Sequence, residues 1–516
     1  MAAVLPAVAQ SWETGLVIIL LAFSSYIIFQ TYFHSLASIP GPWPARYFGS
    51  WRNKRFWRGT WHEDILEAHQ KYGRVVRIAP NQVSIVDGKA MKQLYGHGTT
   101  SVKTQWYATW DPPMDNAESF FSERNRSYHA FLRKRVSGAY AMSAILKYED
   151  FIQVSLDKLF EKFKKYAGKQ VDLSEWTSAL AFDVVGQLGF GESLGHLEAE
   201  DDVMGLRKTI FDGFNMQSCL GYYYLGFNGY YWGQMRIFTN KVTMTLMKML
   251  GQKRPLEDFA PWGLERIQAR LDSNARGEMG RDDMLAHFLR MKRADGSPAL
   301  LNEILVEALM LVGAGADTVS IAMRTCVHAI CQRPEVYQKL QSEVDEFCYS
   351  NNLSSGITYL QTQSLPYLVA VCKEAMRLFP SIVFQLPRHL PAGGIWIGDK
   401  YIPGSCEVGA SPLAQNRDTA IWGPDADEFK PERWLESEER SRYLDGFNMT
   451  FGGNGPRMCI GRNIALVEVH KFVAQVFHHF DVEIISPDRP WRITSFWFAY
   501  QHDFWCKITP RERFPL

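Results

Sequence analysis

The sequence lacks the excess of positive charge that is typical of proteins that bind nucleic acids. Its 56 basic and 55 acidic residues give a formal net charge of +1 over 516 residues, so the chain carries no electrostatic footprint for nucleic acid. Cysteines are also few. There are eight, and they show neither the C-x-x-C spacing of a zinc site nor the pattern of a disulfide framework. These absences exclude a nucleic-acid partner and favour a reducing compartment.

The N-terminal part of the chain lacks charge altogether between Glu13 and Arg46. Within this gap, residues 14–33 (TGLVIILLAFSSYIIFQTYF) supply the roughly 20 mostly apolar residues that a membrane-spanning helix needs. A cleaved signal peptide is disfavoured because no basic region precedes the run, which is also longer than a typical signal core. We predict a membrane anchor over residues 1–38, with its helix at about 14–33, followed by one domain over residues 39–516.

Positive charge returns after the apolar run, at Arg46, Arg52, Lys54, Arg55 and Arg58. By the positive-inside tendency, this asymmetry predicts that the domain after the anchor lies in the cytosol. Prolines at positions 40, 42 and 44 fix φ and discourage helix, so they predict a stiff linker between the membrane and the domain.

The rest of the chain is predicted to be mainly α with a small β lobe. Nearly every window between residues 120 and 380 has the helical period, and no internal repeat is present. Two segments read instead as strand pairs, RVVRIAPNQVSIVD (74–87) and GIWIGDKYIPG (394–404), with turns at Pro80-Asn81 and Gly398-Asp399. A chain that is 46% hydrophobic has enough apolar residues for one large core.

One cysteine stands in an unusual setting, FGGNGPRMCIGRNIALVEVHKF (451–472). A phosphate-binding loop would need Lys-Ser or Lys-Thr after the glycines, and the segment has neither. A buried structural cysteine is the ordinary alternative. However, Cys459 immediately precedes a helical pattern whose positive end favours a thiolate, the form that binds metal. The glycines allow close approach of a flat group, and Arg457 can donate two hydrogen bonds to a carboxylate.

The segment resembles the cysteine loop of the cytochrome P450 family, the heme-thiolate monooxygenases. The family pattern F-x-x-G-x-R-x-C-x-G is matched at Gly455, Arg457, Cys459 and Gly461. The aromatic residue departs from it, because Phe451 lies eight residues before the cysteine instead of seven. Either the loop bulges and Phe451 still shields the sulfur, or Gly452 takes that place and the thiolate is more open. The resemblance makes Cys459 the iron ligand in both cases.

Two further segments extend the resemblance over most of the domain. KEAMR places Glu374 and Arg377 on one helix face, a spacing that alone would indicate an ordinary surface salt bridge. The family locks this pair to an arginine of a second segment, here Arg433 of FKPERW, in a buried triad whose role is structural. We therefore expect Arg377→Ala protein to lack bound heme.

The segment LMLVGAGADTVS (309–320) lies within an apolar helical stretch from about Leu301 toward Cys331. Glycines inside a helix cost roughly 1 kcal/mol each relative to alanine, so a functional reason is expected. Ala314 and Gly315 resemble the family's oxygen-binding kink. Asp317 and Thr318 resemble its acid–alcohol pair, which relays protons; ordinary local hydrogen bonds are the alternative for these two side chains.

The resemblance also implies cations for the two heme propionates. Arg457 is one of them, and Arg388 in FQLPRHL matches another. His129 and Arg133 in YHAFLRKR fit the family's W-x-x-x-R pattern with histidine in place of tryptophan, as in many filamentous-fungal members.

The resemblance implies a monooxygenase with heme b (iron protoporphyrin IX), held at the endoplasmic reticulum membrane by a single-pass anchor. Its electrons would come from NADPH through a separate NADPH–cytochrome P450 reductase. The regions that line the family's pocket are rich in aromatic residues, which indicates a fairly apolar substrate, and the fungal character indicates secondary metabolism. These aromatic residues are Trp106, Tyr107, Trp110, Phe120, Phe214, Phe384, Phe496, Trp497 and Phe498.

Two other function classes remain open. The fold also hosts oxygen-independent heme-thiolate isomerases and dehydratases; the acid–alcohol pair argues against them, whereas the extra residue in the cysteine loop favours them. The other class is a membrane heme protein without turnover.

Overall fold

Helices make up most of the computed structural model, which describes residues 4–112, 114, 117–222, 224–225, 230–231, 245, 249, 259–278, 280–353 and 356–512. The predicted fold class, mainly α with a small β part, is confirmed. The helices of eight or more residues are Val4–Ile28, Ser50–Arg58, Trp61–Tyr72, Gly88–Tyr95, Arg126–Ser137, Glu149–Lys165, Leu173–Gly189, Leu206–Leu220, Phe259–Ala275, Leu301–Cys331, Pro334–Ser350, Pro366–Leu378, Glu438–Asp445 and Arg462–His479. Shorter α-helices are Trp43–Tyr47, Met142–Ile145, His196–Ala199, Met284–Phe288, Tyr359–Thr362, Pro412–Gln415 and Thr419–Trp422. Short 3-10 helices are Gln105–Trp110, Gly138–Tyr140, Val203–Gly205 and Pro431–Trp434.

The largest sheet has five strands, in the spatial order Val75–Ala79, Gln82–Ile85, Glu407–Gly409, Arg388–His389 and Val102–Lys103. Smaller sheets are formed by Phe480–Ile484, Trp505–Pro510 and Gln170–Asp172, by Arg492–Ser495 and Ala499–His502, by Tyr224–Leu225 and Tyr230–Tyr231, and by Ile395–Ile397 and Lys400–Ile402. Both predicted strand pairs are confirmed, with the turns at the expected residues. Gly398 adopts φ 57° in the second turn, a conformation that glycine reaches without strain.

The N-terminal helix begins earlier than predicted. It runs from Val4 to Ile28 and continues as one π-helical segment, Phe29–Phe33. Only 6% of the apolar stretch Trp12–Phe33 is buried against the rest of the protein, so this helix is a candidate membrane anchor. The prediction of a non-helical linker was wrong at Trp43–Tyr47, because Pro44 lies in the first turn of that helix, where no intrahelical N–H is needed.

The C-terminal end of this helix is fixed to the domain. Arg77, which is 1% exposed, donates hydrogen bonds to Gln30 Oε1 at 2.5 Å and to the Leu36 carbonyl at 3.3 Å. The Tyr26 hydroxyl donates to the Tyr47 carbonyl at 2.7 Å. The anchor and the domain are therefore joined by side-chain hydrogen bonds as well as by the chain.

The long helix Leu301–Cys331, called here the central helix, has the predicted bounds. It packs against Leu173–Gly189, Pro366–Leu378 and Arg462–His479. Its length and composition would also suit a membrane span, but 67% of its apolar window is buried inside the protein. The apolar residues of the central helix therefore pack in the core of the protein.

Candidate functional site

Cys459 differs from the other seven cysteines in its accessibility. Its side chain is exposed, whereas Cys331 is half-buried and the remaining six are buried. The protein nevertheless surrounds Cys459 closely enough that burial raises the pKa of its thiol, against the opposing effects of the Gly461 and Arg462 backbone N–H groups and the nearby Arg133 guanidinium. A side chain that is both enclosed and accessible faces a space inside the protein.

The extra residue of the cysteine loop is absorbed by two consecutive glycines. Gly452 and Gly453 adopt φ 79° and 83°, which a residue with a Cβ reaches only with strain. The loop thereby returns Phe451 to the cysteine, and the Cys459 N–H donates to the Phe451 carbonyl at 2.9 Å. The Arg462 guanidinium lies 5.7 Å from the centre of the Phe451 ring. The loop therefore bulges at Gly452 and Gly453, and the shielding of the sulfur by the Phe451 ring stays a prediction.

Close chain packing constrains two of the predicted glycines, Gly455 and Gly315. A Cβ on Gly455 would collide with the Tyr95 carbonyl oxygen, so this glycine admits another backbone segment, and its close approach to a cofactor stays a prediction. A Cβ on Gly461 would lie 4.0 Å from Cys459 Sγ. Gly315 is likewise packed, because a Cβ there would lie 3.1 Å from Val185.

The central helix carries an accessible stripe in an otherwise buried stretch. Ala314 is exposed and Thr318 half-exposed, while Ala316 and Asp317 are buried. The room predicted beside Gly315 therefore lies at Ala314. The Thr318 hydroxyl donates to the Ala314 carbonyl at 2.7 Å.

The predicted acid and alcohol do not point the same way. Adjacent residues on an α-helix are about 100° apart around its axis, and Asp317 is turned to the buried side. Its Oδ2 accepts a hydrogen bond from the Tyr500 hydroxyl at 2.8 Å. Burial raises the pKa of Asp317 to about 6, although that hydrogen bond and the charge of Arg324 oppose the shift.

A group of cations collects next to this space. Arg133, Arg388, Arg457 and Lys103 make no ion pair with a carboxylate among the residues that the structure describes. Lys103 and Arg388 are direct cross-strand neighbours, an arrangement that is unfavourable for like charges. Arg388 donates to the Tyr107 hydroxyl at 2.8 Å, and Arg457 to the Glu123 carbonyl at 2.7 Å. We call these four side chains the cation cluster.

The repulsion within the cation cluster is visible in its pKa values. Burial and the charge of Arg388 lower the pKa of Arg457 to about 10. Burial, Arg457, Arg388 and Arg133 hold the pKa of Lys103 well below its usual range. Like charges that are buried or half-buried, with no counter-ion among the described residues, are disfavoured, so the cation cluster is suited to bind an anion.

His129 lies beside the cation cluster but does not belong to it. Burial and the charges of Arg457, Lys103 and Arg133 lower the pKa of His129 to about 3. This shift disfavours the charged imidazole, and a neutral imidazole can still donate one hydrogen bond. Lys103, in contrast, was not predicted from the sequence as a site residue. Its only signal was a lysine directly before an aromatic stretch, TQWYATW.

The structure brings Glu374, Arg377 and Arg433 together in the interior. The Arg377 guanidinium binds both oxygens of Glu374 at 2.8 Å, and Arg433 Nε binds Glu374 Oε1 at 2.8 Å. The Trp434 indole and the Lys430 backbone N–H complete the five hydrogen bonds that Glu374 accepts. Every charge of the group is buried, a geometry in which removal of one partner is costly.

This triad is linked to the cysteine loop through Asn416. Arg377 Nη1 donates to the Asn416 carbonyl at 2.7 Å, and Asn416 Oδ1 accepts from the Met449 N–H at 2.8 Å. Two residues later comes Phe451, whose carbonyl holds Cys459. The triad thus supports the chain that positions the thiol.

The predicted aromatic lining is divided between core and site. Trp110 and Phe214 are half-buried, and their rings meet edge to face at 5.1 Å. Phe214 also lies over the central helix, 3.2 Å from the position of a Cβ on Gly313. Tyr107 contacts the cation cluster instead. The other predicted members are buried: Trp106, Phe120, Phe384, Phe496, Trp497 and Phe498.

These residues fit a heme group. The accessible thiol of Cys459 suits an iron ligand, the Ala314 stripe leaves room for a flat group, and the cation cluster matches two carboxylates. Arg133 lies near both the thiol and the cation cluster, because its charge lowers the pKa of Cys459 and that of His129.

Comparison with known proteins agrees with this arrangement. A model of the cytochrome P450 family matches residues 39–503. The chain is 30% identical to a pisatin demethylase of Fusarium vanettenii, over 94% of this chain and 91% of that protein. It is 29% identical to the cytochrome P450 monooxygenase hepC of Aspergillus oryzae, over 98% of each. Another relative, the cytochrome P450 monooxygenase pkfB of Emericella nidulans, is 30% identical over 96% of each. The chain therefore belongs to the cytochrome P450 family and is a monooxygenase of that family, in which heme is the cofactor.

Proposed function

We propose that this protein inserts oxygen from O₂ into a fairly apolar, aromatic small molecule of fungal secondary metabolism, with electrons from NADPH supplied by a separate reductase. The observation that carries the proposal is the accessible Cys459 thiol, joined through Arg133 to a cation cluster that has no carboxylate partner in the described part of the chain. The domain is residues 39–516, in the cytosol at the endoplasmic reticulum membrane, with residues 1–38 as its anchor.

Heme, when bound, supplies the iron that activates dioxygen. Cys459 is its protein ligand, and the Gly461 and Arg462 N–H groups stabilise the thiolate form by pointing at the sulfur. Arg133, Arg388, Arg457 and Lys103 bind the two propionates, with His129 as a neutral donor. Thr318 holds a proton on the accessible side of the central helix, and Asp317 exchanges protons on its buried side.

The substrate class follows from the accessible aromatic residues. Trp110 and Phe214 meet edge to face above the small residues of the central helix, and aromatic faces prefer apolar or aromatic partners. One fungal relative is named for a demethylation, so the first probe combines an aromatic ring with an alkyl group that can be removed. We use 7-ethoxycoumarin below.

The first experiment is the absorption spectrum of the reduced protein with and without carbon monoxide. We expect the strongly red-shifted Soret band of a thiolate-ligated heme. NADPH consumption and product formation are then followed with reductase and 7-ethoxycoumarin. A thiolate spectrum without NADPH-dependent product, but with oxygen-independent rearrangement of a substrate, would favour an isomerase or dehydratase. A band at the position of a protonated thiol or imidazole would contradict the proposal.

Thr318→Ala is expected to uncouple electron transfer from product formation. The variant loses the hydroxyl on the accessible stripe, so product formation should fall on the order of 10²-fold, the lower end of what a positioned proton donor contributes. Substrate binding should be unchanged, and the electrons should appear as hydrogen peroxide. The measurement is product and peroxide per NADPH.

Ser320→Ala provides a matched control for this variant. Its hydroxyl also donates to a backbone carbonyl of the central helix, that of Asp317 at 2.9 Å, but it is fully buried. Thr318→Ser keeps a hydroxyl and should restore most of the coupling. Tight coupling in Thr318→Ala would show that the hydroxyl has no part in proton delivery.

A further inference from the structure

Asp317 is held by an uncharged group. The one hydrogen bond between its carboxylate and another side chain that the structure describes comes from the Tyr500 hydroxyl, at 2.8 Å. Both residues are 6% exposed. Burial disfavours the charged form of such a carboxylate, and the Tyr500 hydroxyl is the largest of the effects that oppose this shift.

The nearest cation on the same helix is committed elsewhere. Arg324, 2% exposed, donates to Gln501 Oε1 at 3.0 Å, to the Ser174 carbonyl at 2.8 Å and to Thr177 Oγ1 at 3.1 Å. Its charge lowers the pKa of Asp317 but it forms no ion pair with that carboxylate in the part of the chain that is described. The other charged groups that face Asp317 are Arg207, which lowers its pKa, and Asp202, which raises it.

Tyr500 is itself firmly placed. Its ring packs edge to face against Phe211 at 4.7 Å, and its strand pairs with Arg492–Ser495. The N–H of the preceding Ala499 donates to the Ser381 carbonyl at 3.0 Å, and the Ser381 hydroxyl donates to the Thr318 carbonyl at 2.7 Å. The strand and the central helix are thus tied at the neighbouring residue, so the hydroxyl and the carboxylate keep a fixed separation.

We propose that Tyr500 is the positioning residue of Asp317: its hydroxyl holds the carboxyl on the buried side of the central helix and sets the pH at which the carboxyl releases its proton. The inference rests on the proposed function, in which Asp317 exchanges protons during oxygen activation. Tyr500 thereby influences the reaction through Asp317, without contacting the reacting atoms.

The sign of the effect follows from the hydrogen bond. A donor to a carboxylate stabilises the charged form, so the Tyr500 hydroxyl lowers the pKa of Asp317. Tyr500→Phe removes the donor and keeps the ring. The titration of Asp317 should therefore move upward, by about one pH unit for the loss of one hydrogen bond to a charged group.

The test is an infrared pH titration of the full-length holoprotein, which reports protonation without turnover. The band of the protonated carboxyl that disappears in Asp317→Asn is assigned to Asp317, and its midpoint is compared between wild type and Tyr500→Phe. The pH profile of 7-ethoxycoumarin turnover is measured in parallel, and its corresponding inflection should shift by the same amount. Tyr337→Phe is the matched control, because it removes a partly buried hydroxyl whose hydrogen-bond partner is the Val482 N–H, at 3.0 Å, and not Asp317. The midpoint of the Asp317 titration in Tyr337→Phe should equal that of wild type.

The possible outcomes distinguish the role of Tyr500 from the proton-exchange role of Asp317. An upward shift of the Asp317 midpoint in Tyr500→Phe, with no shift in Tyr337→Phe, supports the positioning role of Tyr500. An unchanged midpoint in Tyr500→Phe, while Asp317→Asn removes the pH dependence of turnover, overturns the role of Tyr500 and leaves that of Asp317. Turnover whose pH profile is unaffected by Asp317→Asn overturns the proton-exchange role itself. If Tyr500→Phe lost turnover at every pH and the Asp317 midpoint did not shift, Tyr500 would have only a structural role.

Discussion

Cys459→Ser protein is expected to lose both the thiolate-type spectrum and NADPH-dependent product formation. A serine hydroxyl is a harder and weaker ligand than a thiolate and stays protonated, so it cannot donate the electron density that favours O–O cleavage. The Gly461 and Arg462 N–H groups, which stabilise a negative sulfur, would face a neutral oxygen. We expect turnover of 7-ethoxycoumarin to fall below detection and the reduced, CO-bound Soret band to leave the thiolate position.

Cys331→Ser is the control for this prediction. Cys331 is the one other cysteine that is not fully buried, and its sulfur lies 3.6 Å from the Val482 carbonyl, where a serine hydroxyl can donate a similar hydrogen bond. Spectrum and turnover should match wild type. A thiolate spectrum that survives in Cys459→Ser would mean that another cysteine binds the iron, and the site would have to be reassigned.

Features that depend on neighbouring residues in the chain were predictable from the sequence. The central helix appears over Leu301–Cys331 because its apolar period continues without a proline for the whole length. Both hairpins appear because their turn residues fit only tight turns. The triad, in contrast, joins residues 59 positions apart and was expected only through the family resemblance.

Features that depend on distant residues were not predictable. The direction of the Asp317 carboxyl is set by Tyr500, which lies 183 positions away. The low pKa of His129 results from burial and from three cations of other segments, Arg457, Lys103 and Arg388, together with Arg133 of its own helix. Gly455 and Gly315 are explained by Tyr95 and Val185. In each case the decisive atom comes from a separate element, and no local pattern contains it.

Arg377→Ala is expected to yield protein that is strongly destabilised and largely free of heme. The substitution leaves Glu374 without its bidentate partner and removes the donor to the Asn416 and Ala426 carbonyls. Breaking a buried ion pair by removal of one partner costs about 3–5 kcal/mol. The link through Asn416 to Met449 passes this disturbance to the cysteine loop. The measurements are heme per chain and the thermal unfolding midpoint.

Two control variants separate this effect from the loss of any arginine. Arg276→Ala breaks an exposed pair with Glu278, at 2.6 Å, and should leave the heme content and the unfolding midpoint unchanged. Arg377→Lys keeps the charge but not the planar fork that binds both oxygens of Glu374, so its heme content should lie between those of wild type and Arg377→Ala. Full heme occupancy in Arg377→Ala would mean that Arg433, Trp434 and the Lys430 N–H hold Glu374 without help, because these are its remaining donors. The cysteine loop would then be positioned independently of Arg377.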